Sequence, residues 1–194
     1  ATQADIATTE QAFITLDEQG ASMAAFMDFI ANVDKNGTGL AMTSFAERLS
    51  NGSGEARRVA IWNVYNLSNG TQISNANLRA FVKFIGATAL AAEILAEVAA
   101  TSGGTLYKTS LASSSSCPLS GCNASASCNE PSGTILTASS SLDIRTTSPS
   151  GTNPFMFELT VALNEALSGL NTLNSGGKFS SVADSFQAFS TFVS

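Results

Sequence analysis

The stretch "FIGATALAAEILAEVAA", residues 84 to 100, constrains the fold more than any other part of the chain. It is apolar on several sides of a helix instead of along one stripe, so a single neighbour would leave apolar faces in water. Glu93 and Glu97 interrupt it, and its many alanines contribute little transfer free energy. It therefore reads as a surrounded central helix, and no stretch of the chain qualifies as a membrane span. Entered through "SNANLRAF", this helix carries Leu78, Phe81, Val82, Ile85, Ile94, Leu95 and Val98 toward more than one partner.

Partners are visible on both sides of it. Phe13, Leu16, Gly20, Met23, Met27 and Ile30 recur in alternating steps of three and four, which places them on one stripe. Gly20 falls inside that stripe, so the segment is either one helix with a close contact or two helices broken at "EQGAS"; Thr8 and Gln11 are candidate caps. "SFAE" at Ser44 to Glu47 reads as a capping box opening another helix. "SGEARRVAIWNVY" adds a further one, with Trp62 and Tyr65 keeping a polar edge on large apolar rings. Leu159, Leu163, Ala166, Leu170 and Leu173 form a stripe entered through Pro154 with Asn153 as cap, and Phe179, Val182, Phe186, Phe189 and Val193 form the last.

With 194 residues, 44% hydrophobic and 12% charged, the chain suits one well-buried domain. The fold class is mainly α: a bundle of about five or six helices, with residues 1–102 helical and 154–194 completing it. Between them, residues 103–153 are rich in Ser and Thr, an excursion of loop or small β-ribbon in which "TLYKTSL" and "TILTASSSLDIRT" alternate. All three cysteines, Cys117, Cys122 and Cys128, lie there. Their spacing is not that of a structural zinc site; a local disulfide with one cysteine left over is the expectation, in an oxidising compartment.

"DKNGTGLAMTSF", from Asp34, begins like a calcium loop, with Asp34, Asn36, Thr38 and Gly39 in suitable places. The twelfth position, where a bidentate glutamate belongs, is Phe45. "NLSNGTQISNAN" offers only neutral ligands and ends on Asn77. Both stretches read as turns, and no metal or cofactor is expected. Five glycosylation acceptor patterns occur, at Asn36, Asn51, Asn66, Asn69 and Asn123, although a chain this rich in Asn, Ser and Thr yields about three or four by chance.

A net charge of −6 and a pI near 4.5 oppose nucleic-acid binding, which requires a cationic surface. The chain holds no histidine, which removes the usual general base and the commonest zinc ligand. The remaining acid–base candidates are Glu93 with Glu97, one turn apart, and Glu158 with Glu165; the simpler reading is that these glutamates solvate helix faces. No catalytic residue is assigned. The expected role is non-catalytic: a secreted or cell-surface protein with a structural, coat, adhesion or assembly task, engaging a protein partner or its own copies. The alternative is an extracellular carrier of an apolar, lipid-like ligand, with Met23, Met27, Phe81 and Phe84 lining a cavity.

Overall fold

A computed structural model describes residues 1–36, 38–49, 52, 54–101, 154–175, 177 and 179–193. Seven helices span them: α1 (Gln3–Glu18), α2 (Met23–Asn36), α3 (Thr38–Leu49), α4 (Glu55–Leu67), α5 (Ala76–Thr101), α6 (Pro154–Leu173) and α7 (Ser180–Val193). There is no strand among the described residues, and the fold is the expected helical bundle. Residues 103–153, with the expected ribbon and the three cysteines, lie outside the described residues.

The first apolar stripe is two helices, and the break at Gly20 has a definite geometry. Gly20 N–H donates to Asp17 O at 2.9 Å, and Ala21 N–H donates to Leu16 O at 2.8 Å. With Gln19 as C-cap and Gly20 at φ +83°, this is a Schellman closure, in which glycine takes the left-handed conformation at no steric cost. Ser22 then starts α2 by accepting from Ala25 N–H at 3.2 Å. Because the chain turns there, the two halves of the stripe no longer share a face. Met23 and Met27 are exposed, and α2 buries Phe26, Phe29 and Val33 in their place.

Two start signals lie elsewhere than expected. α1 begins at Gln3 under a Thr2–Asp5 capping box, not at Thr8 or Gln11. α3 begins at Thr38, so Ser44 is interior to a helix and "SFAE" caps nothing. The calcium-like stretch is therefore the end of α2 and most of α3, and Phe45 is a core residue.

α5 is the hub: it packs against α6, α4, α3 and α1, while α7 closes over α6, α2 and α3. From Phe84 to Ala96 every residue of α5 is buried, as the all-round apolar run requires. Phe84 meets Phe186 of α7, Phe186 meets Phe29, and Phe29 and Phe26 both meet Phe45, with ring centroids 5.1–5.8 Å apart. This run of rings joins α5, α7, α2 and α3. Each fully buried phenylalanine contributes about 1.5–3 kcal/mol of transfer free energy. On α6, Leu159, Leu163, Ala166 and Leu170 are buried as the spacing indicates. Gly169 lets that face come close: a Cβ there would lie 2.6 Å from Ala80 O and 2.8 Å from Phe84 N, both main-chain atoms of α5.

Candidate functional site

Three carboxylates organise the polar chemistry of the bundle, and α5 or its entry meets each of them. Asp5, on the first turn of α1, is 1% exposed. Its Oδ2 accepts from Thr2 N–H at 2.8 Å while Thr2 Oγ1 accepts from Asp5 N–H at 3.1 Å. Its Oδ1 accepts from Ser74 N–H at 2.6 Å, and the Ser74 hydroxyl adds 2.9–3.0 Å contacts to both oxygens. The adjacent Asn75 caps α5, its Oδ1 accepting from Asn77 and Leu78 N–H at 3.1 Å. The Thr2 N–H, then the Ser74 N–H and hydroxyl, hold the Asp5 carboxyl well below the usual carboxylate range against the opposing pull of burial. Asp5 is thus a permanent anion that ties the start of α1 to the start of α5.

Glu93 lies in the middle of α5 with its side chain 0% exposed. Its Oε1 accepts from Gly54 N–H at 2.8 Å, at the N-terminus of α4, and its Oε2 is 3.7 Å from Arg57 Nη1. The same Arg57 nitrogen donates to Leu49 O, the last carbonyl of α3. One cation therefore serves both the negative end of α3 and a buried carboxylate of α5, and the N-terminus of α4 adds positive character beside that carboxylate. This overturns the expectation that Glu93 solvates a helix face. Arg58, 2% exposed, is buried next in the chain. The side chain of Glu97 lies outside the described residues.

The third cluster sits where α4, α5 and α6 meet. Glu165 Oε2 accepts from Lys83 Nζ at 2.8 Å and from the Tyr65 hydroxyl at 3.0 Å. Lys83 and Glu165 are 23% and 33% exposed, so the cluster opens to water on one side. Desolvation, reinforced by the charge and hydrogen bond of Glu165, pushes the Tyr65 phenol up to about 12. Tyr65 is therefore a protonated donor at any physiological pH, suited to fastening three helices and unsuited to accepting a proton from a substrate. Glu158, the proposed companion of Glu165, has its side chain outside the described residues.

A shallow cleft between α2 and α3, lined by Asp28, Asn32, Ser44 and Arg48 among others, has a volume of about 10 Å³, room for about one water molecule. Asp28 and Arg48 pair there at 3.0 Å with both side chains half-exposed or more. Among the described residues no group of three or more His, Cys, Asp or Glu is placed to hold a metal ion. None of the described helices is long and apolar enough to cross a membrane.

The glycosylation candidates separate by position. Asn69 is exposed in the turn between α4 and α5, whereas Asn66 is half-buried on α4. The serine of its pattern, Ser68, is 4% exposed and donates its hydroxyl to Tyr65 O at 2.6 Å. Asn36 ends α2 with its side chain outside the described residues; Asn51, Asn123, Cys117, Cys122 and Cys128 lie outside them altogether. Met23, Met27, Phe81 and Phe84 do not line one cavity: the methionines face solvent, Phe84 is in the core against Phe186, and Phe81 packs on Phe13.

Sequence reasoning missed Asp5 and the Glu165 cluster for different reasons. Asp5 had a signal, since Thr2 and Asp5 stand at capping-box spacing. Tyr65, Lys83 and Glu165 share no short-range pattern, because residues 82 and 100 positions apart form those bonds. No protein-family model, no curated protein and no solved structure matches this chain.

Proposed function

We propose that this protein works through its surface, as an exported structural, coat, adhesion or assembly component that associates with copies of itself. The observation that carries the reading is the set of large apolar side chains left in solvent on the first two helices. Ile14 on α1 is 52% exposed and Met27 on α2 is 60% exposed, with Ile6 and Met23 also exposed on the same two helices. Met23 and Met27 stand one turn apart, and a flexible thioether pair is well suited to an adaptable apolar contact. The buried and half-buried carboxylates support the same reading, since Asp5, Glu93 and Glu165 each serve helix ends or helix pairing.

Sedimentation velocity over a wide concentration range tests it. The full chain is expected to associate reversibly, and Met27→Glu or Ile14→Glu to weaken that association by about tenfold or more, since a charge in an apolar contact costs over 1.4 kcal/mol. A wild-type chain that stays monomeric throughout would remove the assembly reading.

A further inference from the structure

The first apolar stripe keeps its count across a break in the chain. From Ile6 the positions Thr9, Phe13, Leu16, Gly20, Met23, Met27 and Ile30 follow in alternating steps of three and four, the spacing of a helix seam that faces one partner. The fold cuts that seam at Gly20, and Met23 and Met27 face solvent. The segment before the cut is held lightly. α1 packs chiefly on α4 and α5, and of the residues it buries, Asp5, Thr9, Ala12 and Leu16, only Leu16 is large and apolar. Phe13 is half-buried against Phe81, with ring centroids 5.8 Å apart. The rest of the fastening is polar, the Asp5 carboxylate on the Ser74 N–H and hydroxyl at 2.6–3.0 Å. Only residues 19–22 join α1 to α2, around a glycine at φ +83°.

We propose that α1 is exchanged between two copies of this chain: the turn at residues 19–22 opens into continuous helix, and α1 of each copy seats on α4 and α5 of the other. This rests on the self-association proposed above and states how the copies meet. Every contact that α1 makes within one chain is recovered between chains, Asp5 of one copy on Ser74 of the other included, so the two forms differ only at the hinge and in what the copies newly share. At the hinge, the closed form needs the left-handed conformation of Gly20, whereas the open form adds the main-chain hydrogen bonds of an unbroken helix. The newly shared surface is the seam. A straight helix from α1 through α2 sets Met23 and Met27 on the same face as Phe13 and Leu16. Because Phe13 and Leu16 seat on the second copy, both thioethers turn toward it and leave the solvent. The exposed methionine pair thereby has its occupant, a second copy of this chain.

Hinge variants of the full chain test the exchange by sedimentation. Gly20→Ala is expected to tighten association at least about tenfold, because a Cβ disfavours the left-handed turn and favours the helix. That Cβ would meet only Leu49 Cδ2, at 3.5 Å, so crowding is not the cause. Met23→Pro is the opposite probe. Met23 is the first residue of α2, a position that tolerates proline, whereas in an unbroken helix the ring would strike the Gln19 carbonyl. Association should then fall at least about tenfold below that of Met23→Ala, which removes the same thioether without blocking the helix. Trapping reads the exchange directly. In a Cys117→Ser, Cys122→Ser, Cys128→Ser background, a Phe13→Cys chain and a Phe81→Cys chain are refolded together and treated with a short bis-maleimide. A covalent pair linked from position 13 of one chain to position 81 of the other is expected. Wild-type association that ignores both hinge variants, or links only between like positions, overturns the exchange while self-association through another contact stands. A wild-type chain that stays monomeric removes both.

Discussion

Glu93 and Glu165 both meet a cation and a hydrogen-bond donor, yet they sit in opposite solvents. Around Glu93 the middle of α5 is buried on all sides, and the carboxylate is 0% exposed. At the rim, Glu165 keeps a third of its side chain in water and shares Lys83 and Tyr65. Physical chemistry assigns these two similar diagrams different values. A buried partner is expensive to lose because the remaining charge stays desolvated, whereas a rim pair is screened and gives up little.

The largest effect is therefore expected at Glu93. Glu93→Ala leaves Arg57 and the Gly54 N–H without their carboxylate, and should cost about 3–5 kcal/mol in chemical denaturation. Glu93→Gln retains an acceptor for Gly54 and should cost less. A loss below 1 kcal/mol for the alanine variant, on the scale of a surface pair, would erase the distinction between the two regions.

A smaller change of opposite sign is expected one turn earlier. Thr88 is 0% exposed, and its Oγ1 has no hydrogen-bond partner among the described residues. Thr88→Val keeps the shape, removes the buried hydroxyl, and should stabilise the fold by about 1 kcal/mol. Destabilisation in the same denaturation series would mean that the hydroxyl is satisfied and the middle of α5 less dry than its burial implies.

The smallest effect on stability is expected at the rim. Glu165→Gln should cost about 0.2–1 kcal/mol, and its clearer signature is in Tyr65. The phenol, raised to about 12 from an ordinary 10, holds its stabilising proton fully below pH 10 and loses it as pH rises through 12, so wild-type stability declines across that window. Removing the Glu165 charge should shift the Tyr65 titration toward 10 without reaching it, because desolvation remains; NMR of labelled tyrosine reads this directly. An unmoved titration would separate Tyr65 from Glu165 and leave the rim cluster without its centre.

What the sequence revealed and concealed follows the same division. The central helix was legible because alanine and large apolar residues on every side admit one explanation, burial against several neighbours. The stripe on α6 was legible because spacing alone defines a face; on α7 Val182 and Phe186 are buried, whereas Phe179 is exposed ahead of the helix and the side chains of Phe189 and Val193 lie outside the described residues. The first stripe misled because periodicity carries no record of a chain reversal: Gly20 preserved the count while the Schellman closure turned Met23 and Met27 outward. Glu93 was concealed because the glutamate letter is identical whether water or Arg57 surrounds it. Only the arrival of α4 from elsewhere in the chain decides that, and the Tyr65, Lys83 and Glu165 cluster depends likewise on three separate helices.

The hub position of α5 also sets an order of assembly. α4 and α5 are joined through residues 68–75, so their pairing closes a short loop, while the pairing of α5 with α6 must close across residues 102–153. Loop-closure entropy disfavours the longer closure, which gives α4 and α5 the kinetic advantage. Tyr65 and Lys83 then stand together before Glu165 arrives, and the carboxylate joins a half-built site. Pulse-labelled hydrogen exchange should accordingly protect Ile61 to Ala96 before Leu159 to Leu170, with simultaneous protection arguing for one concerted step.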